Sequence, residues 1–538
     1  MENPRRWRGI PEMYSDAQAL SERRGYSMHF GFAALLAILF LTFLDNTIIS
    51  AVLANVQSDL HAGITDLQWI VGAYALTFAS LMLICGSLGD NYGRKRIMLI
   101  GVGIFCAGSI VCGLATSSTM LIIGRVIMGI GAAGSEPSTL SMIRQIYPEH
   151  RQRARALGSW AAVSGLALAM GPVIGATLVG VYSWRAIFWA NLFFGLVAML
   201  LAGIMLPESS DPTRTRPDYA GFLVGAIVLG TATFATIAGE SAGYLASWII
   251  TLYVISGVSV IVFIFVERRV RHPMVNLSYF RRRSFAGSTF IAFASYFSIF
   301  SIFFFVALYL EIVTSVSAYN LALDFLPLLA GMVIASLYAG RWVGAVGTRV
   351  PMMTGCVVAA IGVLLTDIFI GPGAGLDTVG WTMGIAGIGF GTLVVPVTYS
   401  ALASIPSANS GMAASTTNTS RELGAVAGVA ILGSIVNGQL TVNLISRLIA
   451  IGIPAAFRSE IIADVASGSI SAKAKGLSGK SSKAVATIIH NVVHAAYAAF
   501  THGLNLALTI SFALLLLSAI VSYTTGTKDG NQMHPEDL

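Results

Sequence analysis

Six ionisable side chains stand inside stretches that are otherwise apolar. They are Asp45 in Leu44-Asp45-Asn46-Thr47, Arg125 between Leu121 and Gly131, Glu136 just before Pro137, Asp324, and the neighbours Arg421 and Glu422. A charge in hydrocarbon costs several kcal/mol, so each such group marks a pathway or a pairing. Apolar burial favours the protonated form of an acid and a nearby cation disfavours it. An acid poised between the two can take up a proton on one side of a barrier and release it on the other. Asp45 lies about 9 residues, roughly 13 Å, from the outer end of its run, and Arg125 about 7 residues, roughly 10 Å, so the two fall at one level. Asp45, Arg125, Asp324 and Glu422 are therefore the candidate proton-handling groups. Asp45 is alternatively a group lining the outer helix end, and Asp324 a loop acid if its helix starts later.

The remaining polar and aromatic groups suggest a binding cavity. Asn418 and Ser415 share a helical face with Glu422, at spacings of four and three, while Arg421 points about 100° away and is placed to neutralise a neighbour. Glu136 is read equally as a substrate contact or as a structural pair with a neighbouring helix. A buried carboxylate offsets its desolvation best against an organic cation. Trp69, Tyr74, Phe290, Tyr296, Phe300 and Tyr399 are candidate walls for such a cavity. For any single aromatic, packing in the core or against lipid is the commoner fate. Glu240, Glu311 and Asp367 fall near outer helix ends and are expected to be solvated.

The elements that must position these groups follow from composition. Of 538 residues, 55% are hydrophobic and 11% charged, with a mean hydropathy of +0.77. Soluble domains carry about a quarter charged residues, which excludes a large soluble enzyme, and the apolar content excludes a disordered chain. Stretches of about 20 apolar residues recur along the chain, and continuous rather than alternating runs predict an all-α polytopic membrane protein with fourteen spans. The net charge of +7 does not indicate nucleic acid, because the arginines form short clusters between apolar runs. Arg5, Arg6, Arg8, Arg23 and Arg24, the loop Arg94-Lys95-Arg96, Arg144 to Arg155, Arg214, Arg216, Arg268 to Arg283, Arg341 and Arg349 all fall on one side. That side is cytoplasmic by the positive-inside rule, with both termini there. Residues 1–27 are polar and arginine-rich, so no cleavable signal peptide is expected. Cys85, Cys106, Cys112 and Cys356 have no metal-like or disulfide-framework spacing.

Spacing of small residues adds a second layer. Gly86-Ser87-Leu88-Gly89-Asp90-Asn91-Tyr92-Gly93-Arg94-Lys95-Arg96 combines glycines, which allow close helix approach and a tight turn, with an acid and bases able to bridge helix ends. An offset of 254 residues sets Gly340 on Gly86, Gly347 on Gly93, Arg349 on Lys95 and Met352 on Met98, with Gly344 in place of Asp90. An internal repeat of this kind suits a transporter with two related halves. Two other matches carry nothing. Gly129 to Gly134 has the letters of a dinucleotide fingerprint but lies inside an apolar helix, and Gly476 to Ser481 lacks the first glycine of a phosphate loop, Ala474 standing there.

The Gly86–Arg96 loop resembles the signature loop of the major facilitator superfamily. Leu121 to Gly131 around Arg125 is similar to its helix-4 arginine motif. Gly158 and Gly171-Pro172-Val173-Ile174-Gly175 resemble the motif of its antiporter-type exporters, with Ala167 and Ala176 where glycine is usual. With Asp45, Gln68-Trp69, Tyr74, Trp184-Arg185, Asn191, Asn418 and Arg421, the chain resembles the fourteen-helix drug:proton antiporters, including quaternary-ammonium efflux proteins. The resemblance implies a conformational-switch role for Gly86, Asp90, Gly93, Arg94, Gly171, Pro172 and Gly175.

The expected organisation is a cytoplasmic segment 1–27, a six-helix bundle 28–207, linkers and two inserted helices 208–283, a second six-helix bundle 284–523 with a long outer loop 434–497, and a tail 524–538. The expected function is proton-coupled export of amphipathic or cationic drug-like compounds across the inner cell membrane by alternating access. No cofactor is expected beyond the proton gradient, and no metal, nucleic acid or obligate protein partner. A dedicated exporter of one metabolite, antibiotic or siderophore stays open. A lipid-acting membrane enzyme is disfavoured, because the eight histidines are scattered apart from His490, His494 and His502. A transporter-like sensor without flux is disfavoured too, for want of an appended soluble domain.

Overall fold

The structure is a computed structural model that describes residues 30–526 apart from 63, 148, 210–217, 271–272, 274, 313–317, 372–375, 407–408 and 451–482. The expected segment 1–27 and nearly all of the tail lie outside the described residues.

Among the described residues there are long helices and no strands. In chain order they are α1 (Phe30–Ile48), a short α2 (Leu53–Leu60), α3 (Ile64–Tyr92), α4 (Arg94–Gly113), α5 (Ser118–Ile146), α6 (His150–Val181) and α7 (Arg185–Met205). Then come α8 (Tyr219–Ala242) and α9 (Ser247–Arg269). The last group is α10 (Arg283–Ile312), α11 (Ala318–Val346), α12 (Arg349–Phe369), α13 (Trp381–Ala403), α14 (Ser410–Ala450) and α15 (Lys483–Thr525). Eleven of the helices are long and apolar enough to cross a membrane, or twelve when bent α6 is counted as one span. The segment 434–497, expected as a long outer loop, is not wholly loop: α14 continues to Ala450 and α15 begins at Lys483. Continuous helix satisfies each backbone group internally where an irregular chain could not.

Tight turns join these helices. Gly93 at φ 111° separates α3 from α4, and Gly347 at φ 80° separates α11 from α12. Both turns need a left-handed residue, which glycine supplies without a steric penalty, so the internal repeat carries into backbone conformation. It extends further: Gly101 and Gly108 press α4 onto α5, and Gly355 and Gly362, at the same offset, press α12 onto α13. Apolar surface drives little association inside a bilayer, so close approach at small residues must hold the helices together.

Burial separates centre from periphery. The α13 span is 89% buried, whereas that of α9 is 11% buried and presents Val254, Val258, Ile261 and Phe265 outward. Helix α9 packs on α8, and α8 on α3 and α14. The helices before α8 meet those after α9 along two seams, α3 with α14 and α6 with α11.

Candidate functional site

Asp45 on α1 and Arg125 on α5 form an ion pair at 2.5 Å, each side chain 1% exposed. A buried pair is tolerable only where the remaining polar atoms also find partners, and here they do. Asn191 of α7 donates to the second Asp45 oxygen at 2.7 Å, and Arg125 Nε donates to the Ile70 carbonyl of α3 at 3.0 Å. Tyr74 stacks beneath the guanidinium at 4.5 Å from its ring centre, with its hydroxyl 3.3 Å from the Thr42 carbonyl. Four helices therefore converge on one ion pair. Protonating Asp45 would remove the charge that Arg125 faces, so the occupancy of one proton alters contacts to α1, α3, α5 and α7 together.

The second cluster joins helices from both ends of the sequence. Glu136 on α5 is buried and accepts from Asn418 Nδ2 of α14 at 3.2 Å. Arg421 donates to the Asn418 carbonyl oxygen at 2.9 Å and to the Thr398 hydroxyl of α13. Its guanidinium lies 5.6 Å from the Trp160 ring of α6 and 5.5 Å from the Tyr296 ring of α10. Trp160 in turn donates to Thr139 at 3.1 Å, one turn from Glu136. Glu422 is also buried. Neither acid is ion-paired with Arg421 among the described residues.

Beside this cluster is a narrow cavity of about 10 Å³, lined by Leu168, Tyr296, Phe300, Met332, Phe390 and Val394 among others. That holds about one water molecule. Of the aromatic wall expected from sequence, only Tyr296 and Phe300 line this space. Trp69 packs against Phe234 of α8 at 5.0 Å, Tyr74 lies under Arg125, and Tyr399 meets the His150 ring at 4.7 Å. Phe290 is half-buried against the core. Trp69 lies elsewhere because α8 covers the α3 face that it presents.

Asp324 is buried within the first two turns of α11, so it is not a loop acid. Asp367 is half-buried and accepts from Thr509 at 3.3 Å, not fully solvated as expected. The side chains of Glu240 and Glu311 lie outside the described residues.

The switch motif forms a joint between helices far apart in sequence. Asp90 at the end of α3 pairs with Arg94 at 2.7 Å and accepts the backbone N–H groups of Gly411 and Met412, each at 2.9 Å. Those two amides open α14, where orphan N–H groups and the helix dipole favour an anion. Gly86 one turn earlier sits so close to α14 that a Cβ there would overlap Ser415. Helix α6 bends by 45° between Leu168 and Val173, with Gly171 and Pro172 inside the bend. Gly171 packs against Thr47, two residues after Asp45, and Gly175 is buried.

Sequence reasoning assigned no site role to Asn191, Trp160 or Thr398, and gave Arg421 only that of neutralising a neighbour. Asn191 is the only uncharged amide in α7, and that lone polarity was its signal. Trp160 and Thr398 carry none, since they matter only through what folding sets beside them.

Comparison with known proteins agrees with this architecture. Residues 35–429 match the model of the Major Facilitator Superfamily. The multidrug resistance protein Stp of Mycobacterium tuberculosis (strain CDC 1551 / Oshkosh) is 32% identical over 76% of this chain and 75% of its own. The drug efflux pump JefA of the same strain is 30% identical over 90% of this chain and 96% of its own. The proton:xylose symporter XylE superimposes with a TM-score of 0.59 over 94% of this chain and 98% of that one, at 13% identity, a likeness of fold alone. With the Asp90 joint, the internal repeat and the matched family model in place, the chain belongs to the Major Facilitator Superfamily.

Proposed function

We propose that the protein exports amphipathic, drug-like compounds in exchange for protons, with cations the preferred cargo. The observation that carries this reading is the imbalance at the centre: Glu136 and Glu422 are both buried and neither is ion-paired among the described residues, because Arg125 is taken by Asp45 and Arg421 donates to Asn418 and Thr398. The excess carboxylate is satisfied either by a proton or by a cationic group on the cargo, and competition of that kind couples the two. The names of the relatives Stp and JefA, a multidrug resistance protein and a drug efflux pump, support the cargo class.

In this reading α1 to α7 and α10 to α15, residues 28–207 and 284–523, act as two bundles that rock about the centre, with α8 and α9 as an inserted pair. The narrow cavity is the site in its closed form, which widens as the bundles part. Asp45, with Arg125, senses the proton on the outer side; Asp324 and Glu422 complete the proton path. The arginine-rich end faces the cytoplasm of a cell whose inner membrane the protein spans.

The test uses the purified full chain in proteoliposomes loaded with a panel of cationic dyes, with an imposed pH gradient. Dye movement should follow the gradient and stop on adding a protonophore. Movement that persists after the gradient is collapsed would overturn proton coupling. Movement of one compound alone would replace multidrug export by a dedicated exporter.

A further inference from the structure

The two seams between early and late helices are related by the internal repeat, yet they are finished differently. At the α3–α14 seam Gly86 makes the close approach, and Asp90, four residues on, carries an anionic group onto the start of α14. At the α6–α11 seam Gly340 makes the equivalent approach, pressing on Ala154 and lying 3.1 Å, at its would-be Cβ, from Arg155 Cα. Four residues on stands Gly344 instead of an acid, its would-be Cβ 3.6 Å from Arg151 Cα. Where the first seam holds a carboxylate, the second has an open cleft of about 260 Å³ lined by Arg151, Arg155, Gly340, Arg341, Gly344 and Ala345.

The cleft is cationic from both sides: Arg151 and Arg155 belong to α6 and Arg341 to α11. None of the three forms an ion pair with an acid among the described residues. Bringing three like charges to one seam costs energy that an acid at position 344 would have offset. We propose that the cleft binds the phosphate head group of an anionic phospholipid, which takes the role at this seam that the Asp90 carboxylate takes at the other. The cleft is smaller than the 300–1,000 Å³ usual for drug-sized ligands, and it opens at the end of the spans where head groups lie. Basic pockets between membrane helices on the arginine-rich side suit such groups, and arginine matches phosphate geometry in bidentate fashion. A head group touching α6 and α11 at once binds only while that seam is closed, so the lipid favours the state shown here.

The test compares the full chain with the variant Arg151→Gln/Arg155→Gln/Arg341→Gln and with the three-lysine variant at the same positions. All three side chains are exposed, so the fold should survive. Each is reconstituted in vesicles of phosphatidylcholine alone or of phosphatidylcholine and phosphatidylglycerol in equal parts, extracted, and scored for retained phosphatidylglycerol by native mass spectrometry. Each arginine adds about fivefold to the affinity for an anionic surface, so the glutamine variant should bind on the order of a hundredfold more weakly. The lysine variant should keep most of the binding. Phosphatidylglycerol should also raise the thermal unfolding midpoint of the parent and not of the glutamine variant, whereas inorganic phosphate with phosphatidylcholine should not. Equal retention by parent and glutamine variant would overturn the proposal. Full stabilisation by inorganic phosphate would overturn the lipid as source and leave a soluble anion site. Export driven by the pH gradient is not the readout, so failure of the transport reading would leave this result standing.

Discussion

Asp90 and Gly411 lie 321 residues apart in sequence, and the carboxylate of the first accepts the backbone N–H of the second at 2.9 Å. The other oxygen of Asp90 takes the next amide, that of Met412, and Arg94 pairs with the same carboxylate. One side chain therefore caps a helix that belongs to the other end of the protein. A cap within one helix only stabilises that helix. A cap supplied across a seam also stabilises one arrangement of the two bodies against any arrangement in which the seam has opened.

Replacing Asp90 should accordingly loosen this seam before it unfolds anything. Loss of a helix cap costs about 0.5–2 kcal/mol. Asp90→Ala should lower the unfolding midpoint modestly and raise exposure of the α14 start. Ser415, fully buried there, is the reporter: in a background without the four native cysteines, Ser415→Cys should react with a maleimide several-fold faster once Asp90 is alanine. An unchanged labelling rate would show that Asp90 does not hold the seam.

The Asp45–Arg125 pair makes a different prediction, because both charges are buried and one proton decides between them. Breaking a buried pair from one side costs about 3–5 kcal/mol, whereas replacing both partners with neutral groups is often nearly neutral. Asp45→Asn and Arg125→Gln should each destabilise strongly. The double variant should regain most of that stability yet not recover transport driven by a pH gradient. Recovery of both would reduce the pair to a structural tie.

A control comes from the pair Asp59–Arg185, at 2.6 Å but with side chains 48% and 32% exposed. Asp59 lies outside the spans. Hydrogen bonds from Arg185 and Trp184 hold its carboxyl below the usual range. With the folded value lowered, its contribution is present above the ordinary aspartate range and disappears as pH falls through the lowered one. Asp59→Asn should change the unfolding midpoint slightly at neutral pH, not at all in strong acid, and leave transport intact. Loss of transport would place Asp59 in the proton path.

How far these features were legible depended on whether their cause is local. The turn at Gly93, its repeat at Gly347 and the level shared by Asp45 and Arg125 follow from spacing, since helix rise and turn chemistry act over a few residues. Glu136 was legible as a misplaced charge, but its partner was not. The bond from Asn418 spans 282 residues and depends on how α5 meets α14. Where Trp69, Tyr74 and Tyr399 come to lie was hidden for the same reason. Which face of α3 carries Trp69 can be read from periodicity, but that α8 covers that face cannot.

The seam that Asp90 caps also depends on Gly86. A Cβ there would overlap the Cβ and Oγ of Ser415 and come within 2.7 Å of the Gly411 carbonyl. Gly86→Ala should therefore push α14 outward, although alanine is the better helix former. A steric change that opens one state by about 1.4 kcal/mol shifts its population about tenfold, and transport requires that both states be visited. Turnover should fall by about that factor while the unfolding midpoint moves little. Ser415→Gly removes two of the three crowding atoms, so adding it to Gly86→Ala should restore most of the lost turnover. The carbonyl of Gly411 is backbone and stays, so the rescue should be incomplete. Full loss with no rescue would show that the glycine acts within α3 itself rather than through its approach to α14, because only contact with α14 is relieved by shortening Ser415.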